Sequence, residues 1–386
     1  MLFRKFIISK NELCPCSSGK KYKDCCYTKS HRKFHNEAEY LAVTNKVLKK
    51  SRIKTCLHSD CTAKSRDIIL AHAMQKNRIL SKLCVENQVL MQNTKDNPVM
   101  LEIKKGKPEP FYFLEPVHIK NATVSTCFCG KHDNSLFANI EKEGCDFSPN
   151  NKEQIFLFAY KTFAFEYYKE IVNSKFYTNM CAEVPQVFKN PFLVRNYRES
   201  VLKKVEMDHY KEIFDKCLIE KKYEEFESVV IEIQQQIQFA AYMCVAPPFD
   251  IKGKKINVID NKSRMMRRLF VTIFPESDKS YIIITCHKDD LSIYETYLNI
   301  IRTSSIGLVK YYFNTFIPLY TENLIISPKL WDKWGELGQL GIQYAVAETR
   351  VAPLLKGLQF YLKNISKQEK VDIDTTNVKF NFFIED

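Results

Sequence analysis

Glycine is scarce in this chain, ten in 386 residues, which weighs against folds built on glycine-rich phosphate loops. The pair Gly19-Lys20 in "CSSGKKYK" lacks the earlier glycine of a phosphate loop, and no dinucleotide fingerprint occurs elsewhere. Long apolar runs are missing as well. The longest uncharged stretch, "IQQQIQFAAYMCVAPPF", carries four glutamines and two prolines and offers no membrane span. The opening "MLFRKFIISKNE" is too short and too charged for a secretory leader. A cytoplasmic protein with no membrane partner is the expectation. Internal repeats and low-complexity linkers are also absent.

Cysteine, by contrast, is plentiful: fourteen residues, in a compartment where structural disulfides are rare. Ten of them precede residue 146, while Cys181, Cys217, Cys244 and Cys286 stand apart. Metal binding is the leading explanation for the crowded front. Charge is just as uneven. Residues 1–82 hold 19 Lys and Arg against 6 acids, and the remaining 304 balance at 39 against 39. A basic block of this kind attracts polyanions, because each neutralised phosphate releases condensed counterions. Lys20, Lys21, Lys23, Arg32, Lys33, Lys49, Lys50 and Arg52 are the candidate contacts to DNA or RNA. The plainer alternative is a solvated face that keeps a small domain soluble.

Periodicity predicts an α+β, multidomain chain. The expected parts are a zinc knuckle over 1–30, a basic treble-clef-like zinc domain over 31–150, a helical domain over 151–248 and a mixed α/β domain over 249–386. Helix is expected over 31–54, over most of 66–92, over 153–172 and through 192–246, which contain neither Pro nor Gly. Strands are expected within 99–130, at "INVID", in a hairpin made of "RRLFVTIFP" and "SYIIITCH", and at the closing "VKFNFFI". A helix follows the hairpin at "DDLSIYETYLNIIRTS".

The strongest signal is "CPCSSGKKYKDCC". Zinc takes four soft ligands in a tetrahedron, and Cys14, Cys16, Cys25 and Cys26 supply two close pairs across a turn. Pro15 stiffens the first pair, and Ser17-Ser18-Gly19 permits the chain to reverse. Adjacent cysteines pair poorly with each other, which disfavours a disulfide. These residues resemble the SEC-C motif, the zinc knuckle at the C-terminal tail of the translocation ATPase SecA. The resemblance implies zinc on those four cysteines and a docking role toward a protein or ribosome partner, with no catalysis of its own.

A second cluster begins at Cys56 and Cys61, continues through "AHAMQKN", and ends at "CFCGKHDNSLF". Cys56 and Cys61 with Cys129 and His132 make a second tetrahedral set, with Cys127 or His58 as substitutes. Buried thiols are the alternative. A cysteine pair, a histidine, a distant asparagine, then a second pair and a helix is similar to the treble-clef layout of HNH nucleases. That resemblance implies His72 as the base that activates water, Asn121 as its orienting partner and Asp133 as a ligand of Mg²⁺ or Mn²⁺. The chain departs from the pattern in having Ala71 where an acid is common, and Asp133 where His or Asn is usual. A buried or zinc-supporting histidine is the other reading of His72, and a helix cap the other reading of Asp133. Zinc modules of these kinds fused to large regions without metabolic character resemble the architecture of phage-defence proteins. Beyond residue 150, "CHKDD" reads as a helix cap and Trp331 with Trp334 as a packing corner. The back half is expected to serve as a scaffold, a self-association surface or a partner-binding body.

Overall fold

The computed structural model describes residues 7–30, 32–92, 99–103, 107–111, 114–142, 144–257, 265–321, 323–348 and 380–384. Its helices in chain order are α1 (Glu37–Ser51), α2 (Ser81–Leu83), α3 (Gly130–Leu136), α4 (Ala138–Glu141), α5 (Lys152–Glu183), α6 (Pro191–Glu220), α7 (Leu291–Thr303), α8 (Ile306–Tyr320) and α9 (Pro328–Glu348). The first strands are β1 (Ala71–His72), β2 (Gln88–Gln92), β3 (Val99–Ile103), β4 (Lys107–Phe111), β5 (Leu114–His118) and β6 (Val124–Ser125). The later ones are β7 (Phe226–Ile233), β8 (Phe239–Val245), β9 (Leu269–Pro275), β10 (Ser280–His287) and β11 (Leu324–Ile326). The fold is α+β. No described helix is long and apolar enough to cross a membrane.

The chain forms two compact units that interleave along the sequence. One comprises Met1–Ile69, Thr126–Cys129 and Ala164–Lys216; the other comprises Leu70–Ser125, Gly130–Phe163 and Cys217–Asp386. In the first, Asn36 caps α1 by accepting from the Glu39 amide at 2.9 Å, and Glu39 accepts in return from the His35 amide at 3.0 Å. Val43 and Val47 of α1 then share an apolar cluster with Met180, Val184, Phe188 and Val194, and with three residues of the cysteine-rich front, Cys14, Tyr22 and Cys26.

The second unit is built on an antiparallel sheet in the order β5-β2-β11-β8-β9-β10-β7. The hairpin expected from "RRLFVTIFP" and "SYIIITCH" is present as β9 and β10, with Ile282 opposite Ile273. Helix does not continue through 192–246. It ends at Glu220, Lys221 adopts φ +54°, and two strands follow. β8, "FAAYMCV", is buried along nearly its whole length at the middle of the sheet. A strand covered on both faces is apolar at every position, so period alone does not separate it from a buried helix. The expected helix over 66–92 shrinks to a π-helical turn, Lys76–Leu80, and α2, because 71–72 and 88–92 are strands.

The closing strand is also replaced, as far as residues 380–384 show, the preceding ones lying outside the described residues along with most of "INVID". Phe380, Phe382 and Phe383 are buried, and side chains satisfy the backbone around them. Asn314 of α8 donates to the Phe380 carbonyl at 3.1 Å and accepts from the Phe382 amide at 2.8 Å. The Trp334 indole donates to the Asn381 carbonyl at 2.8 Å. Replacing Asn314 by Leu strands a buried carbonyl and a buried amide, so the variant is expected to lose about 3 kcal/mol. A urea midpoint measured against wild type checks this.

Candidate metal centres and active site

The first cysteine loop is a tight reversal. Cys14 donates its amide to the Lys20 carbonyl at 2.8 Å, Ser17 donates to Cys14 at 3.1 Å, and Tyr22 donates to Glu12 at 2.8 Å. Gly19 turns the chain at φ +74°, a left-handed conformation that favours glycine, and Ser17 adopts φ +59° beside it. The turn brings Cys14, Cys16, Cys25 and Cys26 together, with one ligand atom from each within 4.8 Å of the others.

The sulfur spacing fits a metal site and not a disulfide. Cys16 and Cys25 lie 3.5 Å apart and Cys25 and Cys26 3.8 Å apart. A disulfide requires about 2.0 Å, and none of the fourteen cysteines forms one. Zn–S bonds of about 2.3 Å in a tetrahedron place sulfurs about 3.8 Å apart. The protonation tendencies agree. Burial raises Cys16, but hydrogen bonds from Ser18, Cys14 and Cys25 outweigh it and hold the thiol at about 6. Burial pushes Cys14 and Cys26 up. A cation is what would let all four ionise together.

The second set is assembled from two segments. Residues 126–129 run between two stretches of chain: Thr55 and Leu57 donate to Thr126 and Cys127 on one side, and Ile69 donates to Phe128 on the other. Ile68 bridges Cys129. Cys56, Cys61, Cys129 and His132 then have ligand atoms within 4.8 Å of one another, with Cys61 and Cys129 3.7 Å apart sulfur to sulfur. The Ala63 amide donates to the Cys61 sulfur at 3.4 Å. Burial raises Cys56 to about 12. Of the substitutes, Cys127 is fully buried and outside the set, and His58 Nδ1 accepts from the Asp60 amide at 3.3 Å. The donors fit zinc at both sets.

His72 lies on β1, opposite Val124 of β6, in a two-stranded antiparallel ribbon. Its Nε2 is 3.1 Å from the Ile119 carbonyl. A carbonyl only accepts, so Nε2 carries the proton and the neutral ring leaves Nδ1 basic. Burial lowers the His72 pKa, the Ile119 carbonyl opposes it, and Lys161 and Lys76 lower it further. Asn121 is exposed in the turn beyond Ile119, with its amide on the His118 carbonyl at 2.8 Å. Thr123 closes this turn at φ +56°, a strained conformation for a β-branched residue that costs about 1–3 kcal/mol. Its carbonyl and hydroxyl accept from the amides of Ala73 and Met74 at 3.0 and 3.3 Å, on either side of the residue after His72.

Asp133 follows His132 on α3, and its buried Oδ1 has no hydrogen-bond partner. Burial raises its pKa, Lys161 opposes this, and Glu141 adds to it. Lys161 is a residue that the sequence reading passed over. It is a lone cation in the apolar run "IFLFAYKTFAF" of α5, 4% exposed, paired with Glu141 and 4.4 Å from the Phe137 ring centroid. The eight basic residues named as nucleic-acid contacts are all exposed, and Lys50 pairs with Glu183 at 3.3 Å. At "CHKDD", His287 Nδ1 accepts from the Asp289 amide at 3.3 Å, a cap at the turn before α7.

Metal analysis is expected to find two zinc ions per chain. Cys25→Ser should lose one and Cys61→Ser the other, while Cys127→Ala keeps both; loss of zinc in the Cys127 variant would refute the ligand assignment. In a ring-proton NMR titration, His72 should titrate below the ordinary histidine value of about 6.5. The double variant Lys161→Met, Glu141→Gln should raise that value, because the Lys161 charge disfavours the imidazolium more than Glu141 favours it.

Compared with known proteins, residues 11–28 match the SEC-C motif. No curated protein and no solved structure matches the chain.

Proposed function

We propose that this protein is a zinc-stapled enzyme of the HNH kind that cuts DNA or RNA with a divalent metal, in the cytoplasm, as part of prokaryotic defence against phage. The observation that carries the reading is His72, held neutral by burial and fixed by the Ile119 carbonyl with Nδ1 as its basic nitrogen. The antiparallel ribbon that bears it leads through Cys129 into α3, which carries His132 and where Asp133 keeps a buried carboxylate oxygen unpartnered. That order, a cysteine pair, a histidine, a second pair and a helix, is the order of the HNH layout.

In this scheme His72 takes the proton from a water as its oxygen attacks phosphorus, and the bond to the leaving sugar oxygen breaks. Asp133 would hold Mg²⁺ or Mn²⁺, whose charge would stabilise the phosphate oxygens. Asn121, at the turn that follows Ile119, is placed by the chain near the histidine's anchor and is the residue to vary alongside it. The exposed lysines and arginines of 20–52 would bind the phosphate backbone without reading sequence.

With Mg²⁺ or Mn²⁺ the purified protein is expected to cut plasmid, single-stranded DNA or RNA. His72→Ala should slow cutting about 10²–10⁴-fold with zinc content unchanged. A wild-type protein that cuts none of these refutes the enzyme reading.

The second reading is a non-catalytic zinc adaptor that docks a protein or ribosome through the knuckle, and it has its own support. Leu13 is 71% exposed and Ile7 57% exposed on the cysteine-rich front. Salt titration of nucleic-acid binding separates the two. The nuclease reading expects a steep slope that falls by about 1 for each phosphate contact removed, as in Lys49→Ala, Lys50→Ala. Salt-insensitive or absent binding leaves the adaptor.

A further inference from the structure

We propose that the outer face of the cysteine-rich front binds single-stranded nucleic acid, with the Tyr27 ring as a platform for a base and Lys10 and Lys189 as cations for its flanking phosphates. The inference rests on the nucleic-acid-directed reading of this chain and names the form of the substrate. Every residue involved lies in the first compact unit. Tyr27 follows the last cysteine of the knuckle, and the same loop sets its position. Its amide donates to the Tyr22 carbonyl at 3.1 Å, and the two rings meet edge-on at 5.6 Å. Tyr22 is 3% exposed and fills the apolar cluster, whereas Tyr27 is 38% exposed and stays open to solvent.

Cations surround the ring. Lys10 Nζ lies 4.8 Å and Lys189 Nζ 5.8 Å from its centroid, and both lysines are exposed. Lys189 ends the short helical turn Pro185–Lys189, and Gln186 of that turn holds Arg32. The Gln186 side chain donates to the Arg32 carbonyl at 2.5 Å and accepts from the Arg32 amide at 3.3 Å. The Arg32 guanidinium in turn lies 5.5 Å from the ring centroid of Phe34, which is half-buried. One turn therefore joins two ring–cation groups, Lys10–Tyr27–Lys189 and Arg32–Phe34.

Charge and ring together select the occupant. Residues 7–30 hold five lysines, all exposed, against Glu12 and Asp24. Four thiolates around a dication carry a charge of about −2, so a surplus survives the metal, and Arg32 and Lys189 enlarge it. Such a surface suits a polyanion. An acidic peptide would satisfy the lysines without using the ring, and a duplex keeps its bases stacked on one another. A single strand offers both phosphates and free base faces. An exposed lysine is held only weakly over a ring, and a stacked base gains more. The base therefore displaces the lysine, whose ammonium moves to the adjacent phosphate.

The test is fluorescence anisotropy on the full chain without added Mg²⁺ or Mn²⁺, so that binding is read apart from cutting. The probes are labelled oligothymidylate, oligouridylate and a DNA duplex of equal length. Tyr27→Ala is expected to weaken binding of one or both single strands about 5–150-fold, with duplex binding and zinc content unchanged. Tyr27→Trp should keep the affinity, because stacking needs the ring and not the hydroxyl. Lys10→Ala and Lys189→Ala should each lower the salt slope by about 1, while Tyr27→Ala leaves it alone. Equal single-strand affinity in wild type and Tyr27→Ala overturns the proposal, and so does a tryptophan variant as weak as alanine. If the alanine variant loses zinc, an abasic strand on wild-type protein replaces it. That strand should bind about 5-fold or more weakly than oligothymidylate, and equal binding contradicts the proposal. Tyr27-dependent binding by a protein that cuts nothing upholds the proposal and refutes the enzyme reading. Cutting without that dependence does the reverse, and a wild type that binds no nucleic acid overturns both.

Discussion

Sulfur crowding is the constraint on which the cysteine-rich front depends. Thiolates separated by 3.5–3.8 Å repel one another strongly when ionised, and thiols at that distance form only weak hydrogen bonds. A dication at their centre would turn the repulsion into the main force holding the loop. Residues 7–30 bury few side chains, and a structural zinc on these cysteines would supply on the order of 10 kcal/mol to their folding. Val43, Val47 and Val184 then meet the folded knuckle as part of one apolar cluster.

The group around His72 and Asp133 poses a different problem, that of holding ionisable groups within a largely apolar surrounding. His72 is kept neutral, Asp133 is pushed toward its protonated form, and both feel Lys161 and Glu141. Burying Lys161 in an aromatic stretch of α5 is costly, and the Glu141 carboxylate and Phe137 ring offset that cost. Such arrangements are common at reaction sites and also occur in purely structural ion pairs.

How much of this was legible in the sequence follows from how local each feature is. Cys14, Cys16, Cys25 and Cys26 are close in the chain, and ligand spacing on a turn is a short-range code, so the first set could be named from residue types alone. Cys129 and His132 could be paired with Cys56 and Cys61 because each half keeps its own short spacing. Between Cys127 and Cys129 the sequence offered no choice, since alternate residues of a strand share a face and the selection is made by the chains flanking 126–129. The strand β8 reads as helix for a related reason: burial on two faces erases the alternation that marks a strand. The end of the chain misled because "FNFF" looks like a strand, while Asn314 and Trp334 take up its backbone groups instead.

The most direct measurement of the central claim, that two cation sites of different donor sets brace this chain, is zinc K-edge X-ray absorption on the purified protein. Four thiolates at one site, and three thiolates with one imidazole at the other, predict an average of 3.5 sulfurs and 0.5 nitrogen per zinc. The Zn–S distance should be about 2.3 Å. A first shell dominated by oxygen and nitrogen, or a sulfur count that fits a single four-thiolate zinc per chain, would contradict the account.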